Sequence, residues 1–274
     1  MGKTTEWQIL LTNDDGINSP GLWAAAEALS ELGYVTVAAP RDQSSGMGRS
    51  MPSDSDGIIT EKKLTVHGVE WSIFAVGGTP AQTVQHAVLE IMPSKPDLVV
   101  AGINYGTNIG TGITVSGTVG AAMEGASYGI PSLAASLETD KKYHLTHSDE
   151  IAFEAAAHFT ALFAKRLLES TMPPEMDILK IEIPAEATNE TDWALTRLTR
   201  KAFYKPTKPD RESWNQAGST GYAQETDASV FEPDSDAYAV LVDRKIAVTP
   251  LNMDMTAAID FTSFDELMRN KKSN

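Results

Sequence analysis

The sequence predicts an α/β fold, a mostly parallel sheet with helices packed between its strands, and three observations carry that prediction. Short apolar, β-branched runs alternate with helical stretches through the first half of the chain. Several of those runs end in polar loops that contain glycine, the pattern of strands whose carboxyl ends open onto a ligand crevice. Strands separated by helices also pair in parallel, through right-handed crossovers.

Taken in order, Trp7 to Thr12 is a short apolar strand, and Ser19-Pro20-Gly21 supplies a capping residue and a first-turn proline ahead of a helix over Leu22 to Leu32. Tyr34 to Ala39 is a second strand, stopped by Pro40. Leu64 to His67 and Glu70 to Val76 read as a hairpin, and Thr79-Pro80 opens a helix that runs to Ile91. Asp97 to Ala101 is a buried strand, Gly117 to Ser127 a helix of small residues, and Pro131 to Ser136 a further strand. The second half is less regular. Asp149 to Leu168 has the period of an amphipathic helix, and Asp177 to Ile183 is a strand that ends before Pro184. Pro206 to Asp236 is polar and punctuated by Pro, Gly and Ser, which predicts long loops or an arm. Asp236 to Val242 fits a short capped helix or a strand, and Lys245 to Thr249 a strand. The expected division is a catalytic core over 1–184 and, within the same domain, an extension over 185–274 with loops, a late strand and a terminal helix.

Composition narrows the function. The chain has no cysteine, which removes disulfides, thiolate chemistry and cysteine-ligated zinc and fits a reducing compartment. Met1 to Trp7 has no apolar leader pattern and reads as uncleaved, so the expected location is cytoplasmic. Leu98 to Met123 is uncharged and long enough to span a bilayer, but its six glycines and two asparagines suit backbone lying against a polar ligand, not a membrane helix. A net charge of −15 argues against long nucleic acid, whose affinity comes from Lys and Arg on phosphates. Small phosphorylated substrates remain, provided a cation or a cluster of N–H donors holds the anion.

Three polar loops follow predicted strand ends: Thr12-Asn13-Asp14-Asp15-Gly16, Pro40 to Gly46, and Gly102 to Asn108. Asp14 and Asp15 are adjacent carboxylates at a buried strand end, and they repel unless a cation or a shared proton offsets the charge. A turn at Gly16 lets both face one ion; the alternative is an Asx-turn ahead of Ser19. Oxygen donors without His or Cys suit hard ions such as Mg²⁺, Mn²⁺ or Ca²⁺. Ser116-Gly117-Thr118 opens the small-residue helix and would aim N–H groups at a phosphate, unless Ser116 or Thr118 is only its cap. Gly77-Gly78-Thr79-Pro80 is either a tight turn into a helix or the lip of a pocket. Dinucleotide, P-loop, zincin and serine-elbow fingerprints are all missing from the sequence. The five histidines show no metal-ligand spacing; His86 reads as structural, and His67, His144, His147 and His158 as surface residues.

Five segments, Ile9 to Gly21 (ILLTNDDGINSPG), Pro40 to Gly46, Gly78 to Ala81 (GTPA), Asp97 to Asn108 (DLVVAGINYGTN) and Ser116 to Gly125 (SGTVGAAMEG), occur in an order that resembles the survival protein E (SurE) family of 5′-nucleotidases. Ile246 to Asp254 (IAVTPLNMD) is similar to that family's C-terminal strand. The resemblance implies a Rossmann-like core, a C-terminal strand or hairpin extension exchanged between subunits of a homodimer or homotetramer, and a phosphomonoesterase. Its expected substrates are nucleoside 5′-monophosphates, with 3′-monophosphates a further possibility, and it uses one divalent ion per subunit, Mg²⁺ or Mn²⁺. It further implies that Asp14, Asp15, Ser45 and Asn104 hold the metal, that Asp14 and Asp15 are catalytic, and that Asn108, Ser116, Gly117 and Thr118 line the phosphate site, with Asn13 beside them. The sequence reads PRDQSSG where the family commonly has PDRNQSG, so no role is carried over to Arg41 or Asp42. Val242-Asp243-Arg244-Lys245 lacks the glycine commonly found there. A phosphatase for another small ester or polyphosphate, or a metal-dependent nucleotide-binding module without turnover, would use the same residues. Direct attack by a carboxylate and attack by a water are equally compatible with them.

Overall fold

The computed structural model describes residues 6–66, 69–144, 148 and 150–269. At its centre β1 (Trp7–Thr12) lies between two parallel neighbours, β2 (Gly33–Pro40) and β5 (Leu98–Tyr105). After β1 the chain passes through α1 (Pro20–Ser30) to β2 and then adds the antiparallel hairpin β3 (Ile59–Val66) and β4 (Val69–Val76) at that edge. It returns through α2 (Pro80–His86), prolonged by a π-helical turn over Ala87–Ile91, to place β5 on the opposite side of β1. Strand order therefore reverses between β1 and β5, which opens a crevice beyond their carboxyl ends. From β5 the sheet continues through α3 (Gly117–Ser127), β6 (Ser132–Leu137), α4 (Glu154–Glu169) and β7 (Ile178–Ile183), all three strands parallel.

The strands are apolar because both faces are covered. Ile9 and Leu11 of β1 point into a cluster with Leu22, Ala25 and Leu29 of α1 and Phe159 and Phe163 of α4. Leu10 points the other way, to Val84 of α2 and Val119 and Ala122 of α3. Two helix layers thus enclose a mostly parallel sheet, as the alternating pattern predicts.

Two expectations are corrected. The amphipathic period places the start of the fourth helix at Asp149, which lies outside the described residues, but α4 begins at Glu154. Phe153 is nearly fully buried, edge-on to Tyr105 at 5.0 Å between ring centroids, so core packing holds this residue outside helical geometry, ahead of the helix. The hairpin strand placed at Leu64 starts earlier, at Ile59; His67 lies outside the described residues.

The C-terminal residues complete the sheet. β11 (Ile246–Leu251) pairs antiparallel to β7, and β8 (Trp193–Leu195) pairs parallel to β11 at the far edge. β9 (Tyr204–Thr207) and β10 (Gly221–Gln224) form a separate two-stranded hairpin. Asp236 to Val242 resolves as a helix, α5 (Asp236–Leu241), because the Ser235 hydroxyl accepts the Tyr238 N–H as its cap. α6 (Phe261–Arg269) follows, with Phe261, Phe264, Leu267 and Met268 exposed. Among the described residues no helix is long and apolar enough to cross a membrane.

Candidate active site

The crevice at the switch point is walled by the loops after β1, β2 and β5 and by the start of α3. Gly16 takes a φ of +93°, open to glycine at little cost, and this bends the chain directly after Asp15. The Asn13 side chain fastens the bend at both ends: its amide donates to the Gly16 carbonyl at 3.0 Å and its oxygen accepts the Gly16 N–H at 3.1 Å. Asn13 is wholly buried and so acts here as the brace of the Asx-type turn. The β2 loop closes on the same bend, with the Ile17 N–H donating to the Pro40 carbonyl at 2.9 Å and the Ser44 N–H to the Asp14 carbonyl at 2.7 Å.

Asp14 and Asp15 are 4% and 1% exposed, so both carboxyls sit inside the protein. Thr118 donates its hydroxyl to Asp14 Oδ1 at 2.6 Å, and the Gly117 and Thr118 N–H groups are directed at the same carboxyl. The helix start that sequence reasoning assigns to phosphate therefore also serves Asp14. Gly117 is required by this approach, because a Cβ there would lie 2.6 Å from Asp14 Cβ. Asp15 accepts from the Gln43 amide at 3.1 Å and from the Tyr105 N–H at 3.2 Å. Burial pushes Asp14 above the ordinary aspartate range against those donors. Burial, and then the charge of Asp14, push Asp15 well above it.

Asn104 is 9% exposed, at the end of β5 and in register with Ser136 of β6. Its amide nitrogen donates to the carbonyls of Tyr105 and Gly106, at 3.3 and 2.6 Å, which turns its oxygen the other way. Asn108 returns to this spot, its side-chain nitrogen donating to Ser136 Oγ at 2.9 Å. Ser116 caps α3 by accepting the Val119 N–H at 3.1 Å. Asp14, Asp15, Asn104, Asn108 and the Ser116 to Thr118 turn thus gather at one end of the sheet. Ser45 is exposed on the β2 loop, one residue beyond the contact between Ser44 and Asp14. Arg41 and Asp42 pair with each other, and Arg41 also pairs with Asp56, in an exposed cluster. Thr79 forms a capping box with Gln82, the structural reading of its turn.

Sequence reasoning missed two residues at the rim. Gln43 donates both to Asp15 and to the His144 carbonyl, at 2.9 Å to the latter, and so ties the β2 loop across the crevice. His144 is packed, not a loose surface residue: its ring bonds Tyr222 and the Thr139 carbonyl, and a Cβ on Gly106 would lie 2.6 Å from it. Gln43 lies in the Pro40 to Gly46 segment, which marks the loop but not these contacts, and His144 lies outside any motif.

Fold and donor set together define a doubly wound α/β protein whose switch point carries an oxygen-lined acidic site. Among such proteins the chain belongs to the SurE family, since the family described as Survival protein SurE matches residues 9–205. It is 43% identical over 95% of its length to the 5′-nucleotidase SurE of Thermococcus gammatolerans, covering 96% of that protein. It is 42% identical to the 5′-nucleotidase SurE of Thermococcus kodakarensis, covering 93% of this chain and 95% of that one. The crystal structure of the SurE protein from Aquifex aeolicus superposes with a TM-score of 0.74 at 34% identity, over 95% of this chain and 99% of that one.

Proposed function

We propose that the chain is a divalent-metal-dependent 5′-nucleotidase that hydrolyses nucleoside monophosphates to nucleoside and phosphate. The observation that carries this reading is the buried Asp14 and Asp15 pair at the switch point, beside Asn104, Asn108 and the start of α3. Two adjacent carboxyls are costly to ionise there, and a cation relieves that cost. The donors fit a hard ion: two carboxylates, the Asn104 oxygen turned away from its own anchored nitrogen, and Ser45 next to the Ser44 N–H that donates to the Asp14 carbonyl. Asp14, Asp15, Ser45 and Asn104 would hold one Mg²⁺ or Mn²⁺, which lowers the charge on the phosphoryl oxygens and acidifies water.

The chain's own residues do the rest. Thr118 and the α3 N–H groups fix the orientation of Asp14; Gln43 and the Tyr105 N–H fix Asp15. Asn108 keeps one side-chain N–H beyond the one given to Ser136, which suits a phosphoryl oxygen as charge gathers in the transition state. Ser116 and Gly117 border the same space. Hydrolysis forms one P–O bond from water and breaks the ester P–O bond, and the nucleoside oxygen leaves with a proton. The reading includes a cytoplasmic location, which the cysteine-free composition fits.

The C-terminal arm is the assembly element of a homodimer or homotetramer. Its hairpin projects Trp214, 94% exposed, and α6 presents four large apolar side chains to solvent, a surface that suits a second subunit. The test of function is a panel of 5′- and 3′-nucleoside monophosphates, other phosphate esters and polyphosphate, with and without chelator. Turnover of nucleoside 5′-monophosphates that stops with chelator is expected; turnover of none of them would leave a binding module.

A further inference from the structure

The strand β7 reads Ile178-Leu179-Lys180-Ile181-Glu182-Ile183, and all six residues are buried, charged ones included. Lys180 and Glu182 are each 0% exposed, as is Asp236 at the start of α5. Three ionisable groups enclosed together are kept only where each is answered by a partner. Lys180 Nζ donates to Glu182 Oε1 at 3.2 Å, to Asp236 Oδ2 at 3.1 Å and to the Asn108 carbonyl at 3.0 Å. Burial alone would push Lys180 down, but the charges of Glu182 and Asp236 outweigh it and hold the ammonium above its ordinary value.

What this cluster grips is the β5 loop. Glu182 Oε2 accepts the Asn108 N–H at 2.9 Å, so β7 holds Asn108 by both its N–H and its carbonyl. Asp236 Oδ2 accepts the Gly110 N–H at 2.9 Å, two residues on. Asp236 Oδ1 accepts the N–H groups of Thr199 and Ala237, both at 2.9 Å, which anchors the cluster to the C-terminal segment. A cluster that served only to join β7 to α5 would not need these contacts to a loop that lies 126 residues from Asp236 in the chain.

We propose that Lys180, Glu182 and Asp236 are positioning residues for phosphate binding: they hold the Asn108 backbone so that its side-chain amide is presented to the phosphoryl group. The proposal rests on the reading of Asn108 as a phosphate contact. None of the three touches substrate, and their effect on the reaction passes through Asn108.

The test is a double-mutant cycle on full-length protein. The Lys180→Met, Glu182→Gln double variant removes one charge of each sign, leaves the cluster's net charge as it was and keeps an acceptor for the Asn108 N–H. Asn108→Ala removes the group that the cluster positions. Measured quantities are kcat and KM for a nucleoside 5′-monophosphate, the inhibition constant of inorganic phosphate, and cooperative thermal unfolding. Each change alone is expected to lower kcat/KM by about 10- to 100-fold and to weaken phosphate inhibition, as a misplaced binding group does. Combined with Asn108→Ala, the β7 change should add less than about twofold, because coupled residues are not additive. Full additivity, or unchanged phosphate inhibition in a folded β7 variant beside a damaged Asn108→Ala, would overturn the positioning role alone. A silent Asn108→Ala would instead overturn the phosphate reading, and the proposal with it. If the double variant does not fold, Glu182→Gln alone, nearly the same shape, supplies the same cycle; additivity there overturns the proposal equally.

Discussion

Two buried acidic clusters lie on one sheet, and they are built on different plans. Glu182 and Asp236 surround the ammonium of Lys180, and that cluster carries its own counter-charge. The described donors to Asp14 and Asp15 include the Thr118 hydroxyl, the Gln43 amide and the Tyr105 N–H, and burial holds both carboxyls above their ordinary range. Where the chain supplies the cation, a closed and specific brace results. Where two adjacent carboxyls are enclosed together and held above their ordinary range, the arrangement suits a cation that comes from solution.

The largest effect expected from this contrast is on stability at β7. Lys180→Met leaves Glu182 and Asp236 buried without their ammonium, which costs about 3–5 kcal/mol, the range for a broken buried ion pair. Chemical denaturation measures it, and a loss within about 0.5 kcal/mol, the range of ordinary surface changes, would show that the cluster is not held by its charges. The opposite holds at the crevice. Asp14→Asn or Asp15→Asn should slow turnover by about 10²–10³-fold, the scale of a lost charge-stabilising group. Either should leave chelated protein as stable as before, or more so, by easing the burial of two like charges. Ser45→Ala and Asn104→Ala remove only a neutral oxygen, so excess metal should largely restore them. Mn²⁺ titrations of activity across the four variants give the ranking.

A smaller effect concerns pH. In metal-free protein the folded state holds protons on Asp14 and Asp15 that the unfolded chain gives up near the ordinary value of 3.8. Above that value the folded state binds more protons than the unfolded one, so stability falls as pH rises until the folded pair has titrated. Bound metal should abolish that fall. Melting curves from pH 4 upward, with and without chelator, would expose it; a flat metal-free profile in which Asp14→Asn changes nothing would contradict the burial argument.

How far this was legible in the sequence depended on locality. The bend at Asp14 to Gly16, the capped start at Ser116 and the strand into Asn104 are each written in a few consecutive residues, and their convergence follows from the switch-point rule. The partner of Lys180 in α5 lies 56 residues away. An alternation of Ile with Lys and Glu ordinarily marks a strand with one face in water, so nothing local announces that Lys180 and Glu182 are enclosed. Likewise the start of α4 was set by the burial of Phe153 against Tyr105, a tertiary demand that outweighs helical period. The antiparallel pairing of β11 to β7 depends on a return path through the arm that no motif encodes.

The central claim, that the Asp14 and Asp15 pair is built for a cation from solution while the β7 cluster is complete without one, is tested most directly by titrating Mn²⁺ calorimetrically into chelator-stripped protein and assaying the same samples on a nucleoside 5′-monophosphate. The account predicts no turnover at the start, one ion taken up per chain with activity rising in step, loss of both in Asp14→Asn, and retained ion uptake in the Lys180→Met, Glu182→Gln variant. Full turnover in protein shown by elemental analysis to be free of metal would contradict it.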